Sequence, residues 1–186
     1  ITNEDNQTVN SNINSTAATT INNSAGYAAG STSIVVADGN ALAVDDVIYK
    51  KNGEVIGLIT NIATNTLTVT TSLVSVSDKE EIYTSSLKTG VLINDANGYD
   101  IGDTTLTVDT VDATTVISNN DKLYLGTGDF IGEVESVTST SITIKNGINL
   151  FLSNNKQIYR SNPRETVLRS NSKNNRIVME FVIISR

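Results

Sequence analysis

Gly26-Tyr27-Ala28-Ala29-Gly30 and Gly98-Tyr99-Asp100-Ile101-Gly102 are two versions of one phrase, and the residues after each recur in the same order. Ser33-Ile34-Val35-Val36 is answered by Thr105-Leu106-Thr107-Val108. After a three-residue insertion, Asp46-Val47-Ile48-Tyr49 is answered by Asp121-Lys122-Leu123-Tyr124, and Ile56-Gly57 by Ile131-Gly132. Thr64-Asn65-Thr66-Leu67-Thr68-Val69 pairs with Ser139-Thr140-Ser141-Ile142-Thr143-Ile144, and Ile82-Tyr83 with Ile158-Tyr159. Self-similarity in one order over so long a stretch means a duplicated structural unit. The copies run from residue 26 to 86 and from 98 to 162.

Inside each copy the apolar residues recur every second position, which is the strand period. This gives five strands per copy: Ser33 to Ala37, Asp46 to Lys50, Glu54 to Ile62, Thr66 to Thr71 and Glu81 to Thr84 in the first. Their counterparts in the second are Thr104 to Thr110, Asp121 to Gly126, Phe130 to Val137, Ser141 to Lys145 and Gln157 to Ser161. Lys51-Asn52-Gly53 and Gly126-Thr127-Gly128-Asp129 supply the positive φ angles of tight hairpins. Gly57 and Gly132 fall mid-strand, where glycine marks a bulge or sharp bend. Five short strands close best as a small barrel, which removes sheet edges. Ile34, Val36, Ile48, Ile56, Ile59, Ile62, Leu67, Val69 and Ile82 would fill the first one. The expected fold is all-β: two tandem five-stranded β-barrel-like repeats, with an extended N-terminal arm (1–25), a linker (87–97) and a C-terminal segment (163–186) carrying a terminal strand. The 87–97 segment, with Leu87, Val91, Leu92 and Ile93, also reads as an extra strand.

Composition agrees and narrows function. The 186 residues include 23 Asn, 25 Thr and 19 Ser, about a third of the chain, suited to short strands and turns. There is no His, Cys or Trp. That excludes thiolate and histidine-assisted nucleophiles, zinc-finger and iron–sulfur ligation, and disulfides. No apolar run is long enough for a membrane-spanning helix, and no targeting segment is visible. The carboxylates Asp45-Asp46, Asp78 with Glu80-Glu81, and Asp109 with Asp112 lack a calcium-loop pattern and read as turn caps and solvated charge. Asp46 and Asp121 share a repeat position just before a strand and read as caps. Gly126-Thr127-Gly128 lies between two strands, which excludes a dinucleotide loop. The six tyrosines (Tyr27, Tyr49, Tyr83, Tyr99, Tyr124, Tyr159) keep to the repeat, so a core and barrel-mouth role is expected over a sugar-binding surface. No enzyme, cofactor or metal site is expected.

The chain ends carry the remaining signal. Residues 156–186 hold seven basic and two acidic side chains (+5), and residues 1–155 hold six and eighteen (−12), giving the net −7. A basic tail on an acidic body attracts a complementary surface, or pairs with its own chain. Few aromatics interleave the basic residues, so nucleic-acid binding is not expected. Residues 1–25 are Asn, Ser, Thr and Ala around isolated Ile13 and Ile21. Ile177 to Ile184 is the most apolar stretch and reads as a strand joining a sheet in its own chain or a neighbour. Ile13, Ile21, Arg164, Arg169, Lys173, Arg176, Phe181 and Ile183 are the candidate partner-binding residues.

The segments "GYDIGDTTLTVD" (98–109), "NDKLYLGTGDFIGEVESVTSTSITI" (120–144) and "IY" (158–159) resemble modules in virion structural proteins of tailed bacteriophages, especially cyanophage-like ones. "AGSTSIVVADGNALAVDDVIY" (29–49) and "EVIGLITNIATNTLTVT" (54–70) fit the same pattern. The resemblance covers residues 26–162, about three quarters of the chain. It implies a non-enzymatic virion protein with no catalytic residues to carry over. It implies a place on the capsid surface or in the head–tail region, with the major capsid protein or other virion subunits as partners. A capsid decoration or cement protein, forming a trimer or another closed ring, is the first expectation. A head–tail connector, tail or baseplate component is the second, and a carbohydrate-binding adhesin or receptor-binding module the third.

Overall fold

A strand that alternates Thr with Val, Ile or Leu presents one apolar face, and six such strands suffice to wrap that face around a core. The computed structural model describes residues 8–10, 12–170 and 181–183. The described residues form fifteen strands and no α-helix: β1 (Thr8–Asn10), β2 (Thr19–Thr20), β3 (Ser33–Val35), β4 (Val47–Tyr49), β5 (Val55–Ala63), β6 (Thr66–Val69), β7 (Glu81–Thr84), β8 (Lys88–Ile93), β9 (Thr105–Asp109), β10 (Lys122–Tyr124), β11 (Phe130–Val137), β12 (Ser141–Ile144), β13 (Gln157–Tyr159), β14 (Thr166–Ser170) and β15 (Phe181–Ile183). They fall into two compact units, 1–86 with 165–186, and 87–164.

The second unit is a closed six-stranded barrel in the order β10-β11-β12-β9-β8-β13. The first unit contains a six-stranded curled sheet, β2-β7-β4-β5-β6-β3. Its two edges meet through an antiparallel bridge between Ile21 and Val36. Two backbone bonds support the bridge, Asn22 N to Val35 O and Ala37 N to Thr20 O, both 2.9 Å. The tandem β-barrel architecture is therefore present, with six strands per module where the sequence suggests five. The sixth strand comes from β2 in the first module and β8 in the second. Residues 87–97 are thus not a linker: Lys88–Ile93 alternates between half-buried and buried and pairs with β9 and β13. The N-terminal segment is likewise not a free arm from residue 12 onward. Its backbone runs along β7, with Asn14 N bonded to Thr84 O and Ala18 N to Ile82 O.

The two modules repeat several key bonds. The Val35 N–H donates to the Tyr27 hydroxyl (2.9 Å), and the Thr107 N–H donates to the Tyr99 hydroxyl (2.8 Å). Ala43 N–H donates to Asp46 Oδ2 and Ser118 N–H to Asp121 Oδ2, each at 2.8 Å, so both aspartates cap the turn before a strand. Tyr49 pairs with Tyr83, and Tyr124 with Tyr159. The bulge expected at the mid-strand glycines is there: the register slips between Ile48 and Tyr49 opposite Gly57, and between Leu123 and Tyr124 opposite Gly132. Gly53 (φ +87°) and Gly128 (φ +92°) turn the hairpins.

Each module has its own core. Ile21, Ile34, Val36, Ile48, Ile56, Ile59, Leu67 and Ile82 are fully buried in the first, with Ile62 packed at its margin. Val91, Ile93, Leu106, Val108, Leu123, Ile131, Val134, Ile142 and Ile158 fill the second. Burying one such side chain contributes about 1.5–3 kcal/mol, so these cores carry the modules. Ile21, just after β2, and Ile93, the last residue of β8, occupy the same place, opposite Val36 and Val108 respectively.

Candidate functional site

The feature that the duplicated modules do not explain is where the chain ends go. Strand β14 is the middle of a three-stranded sheet, β1-β14-β15, belonging to the first unit. Thr8, Val9 and Asn10 pair with Ser170, Arg169 and Leu168. Thr166, Val167 and Leu168 pair with Ile183, Val182 and Phe181. Of the two readings of the C-terminal strand, joining its own chain is the one realised. Among the described residues each outer strand, β1 and β15, has a partner on one side only. Such a strand presents a row of backbone donors and acceptors to an incoming strand.

A polar clasp ties this sheet to its module. Asn12 is 8% exposed, and its Nδ2 donates to the Glu165 carbonyl at 2.7 Å. The Asn12 carbonyl accepts from Ser86 N (2.9 Å) and from the Ser85 hydroxyl (3.1 Å). The residue just inside β1 and the residue just before β14 are thereby held to the end of β7. Removing a buried amide that satisfies a half-buried carbonyl leaves that carbonyl without its bond.

The candidate partner-binding residues separate. Ile21 lies at 0% exposure in the first core, so its side chain fills its own module and is withdrawn from the partner-binding set. Ile13 is half-buried and its backbone bridges Ser85. Arg164, between β13 and β14, is half-buried, with Nε donating to the Gly126 carbonyl of the β10–β11 turn at 3.0 Å. Arg169 lies in β14, and Phe181 and Ile183 in β15, so the structure brings these three into one sheet. Lys173 and Arg176 lie outside the described residues.

The remaining polar groups do structural work. Asp78 Oδ1 accepts from Asn23 N, Glu80 Oε2 accepts from Ser77 N, and Glu80 Oε1 sits 3.1 Å from Lys50 Nζ. The Tyr83 hydroxyl donates to Glu81 Oε2 at 2.7 Å, which raises its pKa above the ordinary 10.0, with burial and the carboxylate charge adding to the effect. Among the described residues no group of three or more carboxylates gathers as a metal site. Asn12, Ser85 and the β2–β8 equivalence are what sequence reading missed. The signal for the last was present: Ile21-Asn22-Asn23-Ser24-Ala25-Gly26-Tyr27 matches Ile93-Asn94-Asp95-Ala96-Asn97-Gly98-Tyr99, which starts the repeat five residues earlier. Comparison of the chain with protein-family models, with curated proteins and with solved structures finds no match.

Proposed function

We propose that the chain is a non-enzymatic virion structural protein, a capsid decoration or cement protein that grips neighbouring subunits through its terminal sheet. The observation that carries this reading is the pairing of β1, β14 and β15 into a sheet whose outer strands are each partnered on one side among the described residues. Backbone pairing to such an edge gives affinity with little demand on side-chain identity. The basic C-terminal segment supplies charge complementarity to an acidic neighbour and speeds encounter. The resemblance of residues 26–162 to phage virion modules supports the same reading. A connector, tail or baseplate role would use the same sheet.

The glycan reading that rested on Tyr27 and Tyr99 loses support, because both hydroxyls accept strand N–H groups and both rings pack against the cores. The test is addition of the purified chain to phage heads that lack it, beside a version ending at Ser170 and one starting at Ser11. A truncation through residue 25 would remove Ile21 from the core and confuse unfolding with lost binding. Binding by the full chain and loss in both truncations supports the reading, and unchanged binding by both overturns it. Copy number then assigns the place: hundreds per particle for decoration, about six or twelve for a connector ring.

A further inference from the structure

One place on the second barrel differs in its side chains from the matching place on the first module. A groove of about 280 Å³ opens there between β11 and the turn after β12. Its buried lining is the backbone of Gly132 and Gly147. Both must be glycine: a Cβ would lie 2.4 Å from Ile144 Cγ2 at the first and 2.4 Å from the Gly102 carbonyl at the second. The backbone is therefore packed into one position and the groove is shaped in advance.

Three kinds of side chain stand around it. Phe130 is 38% exposed, and its ring is braced by Tyr124, with centroids 5.3 Å apart at 55°. On the other side the Lys145 ammonium contacts the Glu133 carboxylate and donates to Asn120 Oδ1 at 2.7 Å. Asn149 is fixed by two bonds to the Ile131 carbonyl, from its N–H at 2.9 Å and from Nδ2 at 3.1 Å. One Nδ2 hydrogen being committed, the side chain offers a ligand its other Nδ2 hydrogen and its Oδ1 acceptor. The first module has none of this. The bond from Thr70 N to Leu58 O corresponds to the bond from Lys145 N to Glu133 O, so Thr70 and Leu58 stand where the ion pair stands. Val55 replaces Phe130, Leu73 replaces Asn149, and Gly147 has no counterpart.

This set selects a ligand class. The lysine and glutamate charges cancel, which gives no net attraction for a phosphate or an ammonium. The pair and the fixed amide still present donors and acceptors side by side, as hydroxyl groups require. An exposed, braced aromatic ring offers a platform for one apolar face. The volume falls just under the lower bound of about 300 Å³ for drug-sized pockets, enough for one ring and its substituents. A small, uncharged, hydroxyl-rich molecule with one apolar face is a pyranose. We propose that this groove binds a single neutral pyranose residue of a glycan, Phe130 stacking on the sugar and Glu133, Lys145 and Asn149 bonding its hydroxyls. The proposal stands apart from the virion reading and uses none of the terminal sheet.

The test uses the full chain, an array of neutral, sialylated and phosphorylated glycans, and saturation-transfer NMR with the methyl pyranosides of glucose, galactose, mannose and N-acetylglucosamine. At least one neutral pyranoside at millimolar concentration should receive saturation at its ring protons. Phe130→Ala and Asn149→Ala should each weaken that binding about tenfold. Leu73→Ala, at the matching place on the first module, should leave it unchanged. Methyl shifts of Ile142 and Val134 report whether the barrel is intact in each variant. Failure of every neutral sugar to bind, retention of only charged glycans, or binding that survives both Phe130→Ala and Asn149→Ala overturns the proposal.

Discussion

Ile21→Ala separates a chain whose N-terminal segment is part of the first module from one whose arm is free. Ile21 is 0% exposed, bridges Val36 and shares a core with Ile34, Leu67 and Ile82. The substitution removes three carbon atoms at about 0.8 kcal/mol each, a transfer loss near 2.4 kcal/mol before any cavity penalty. The site sits where the two edges of the sheet meet and cannot collapse without parting β2 from β3. A total of about 3–4 kcal/mol is therefore expected, within the range of about 2–5 for such core truncations. At roughly 4 °C or more per kcal/mol for a unit of this size, the midpoint of the first module should fall by about 12 °C or more. The assay is amide hydrogen exchange at Ile34, Leu67 and Ile82, beside calorimetry. Ile13→Ala is the paired control; its side chain is half-buried and its bridge to Ser85 is made by backbone, so it should cost about 1 kcal/mol or less. A loss below about 0.5 kcal/mol at Ile21 would refute the packing argument.

Asn12→Ala should leave the Glu165 carbonyl without its partner and cost about 1–3 kcal/mol; exchange at Val167 and Leu168 should rise while that at Ile48 holds, and equal protection in both proteins would show that the clasp does not secure the sheet. Gly98→Ala places a Cβ 2.5 Å from the Leu152 carbonyl at a φ of +75°, so it should lower the barrel's midpoint, whereas Gly102→Ala, with open space around it, should show only the smaller cost of its φ. Glu133 is held below its ordinary pKa of 4.5 by the Lys145 hydrogen bond first and the Lys145 charge second. Its depressed value means that its contribution is present above pH 4.5 and fades as pH falls through the folded value. In a carboxyl NMR titration Lys145→Thr should return Glu133 toward 4.5, and an unmoved midpoint would show that the pair is not formed in solution.

Much of the fold was legible because barrel strands leave a strong period-two signature and the duplication doubled it. Leu67-Thr68-Val69 and Ile142-Thr143-Ile144 could be read as strands with one face inward, and Asn52-Gly53 as a turn. What stayed hidden was short or polar. Strand β2 is two threonines, and the one apolar anchor beside it, Ile21, sits among Asn, Ser and Ala. Composition there resembles a flexible arm, and the backbone bonds to β7 that hold it leave no mark in hydropathy. Lys88–Ile93 alternates plainly enough, yet its counterpart β2 has no apolar alternation, so the only trace of the sixth strand is the short match of residues 21–27 with 93–99. The terminal sheet was half legible: Ile177 to Ile184 could be read as a strand, but pairing across more than 150 residues is a matter of topology, which local pattern does not encode. The groove on the second barrel was invisible for a different reason. Phe130, Lys145 and Asn149 are brought together by register, and no motif links them in the chain.

The most direct trial of the whole account is a cryo-electron reconstruction of a particle carrying this chain. Density for this chain on the capsid or neck surface, with a neighbouring subunit's strand added to the outer edge of β1 or β15, is predicted. A chain anchored through a barrel wall, with both outer strands of the terminal sheet facing empty solvent, would contradict it.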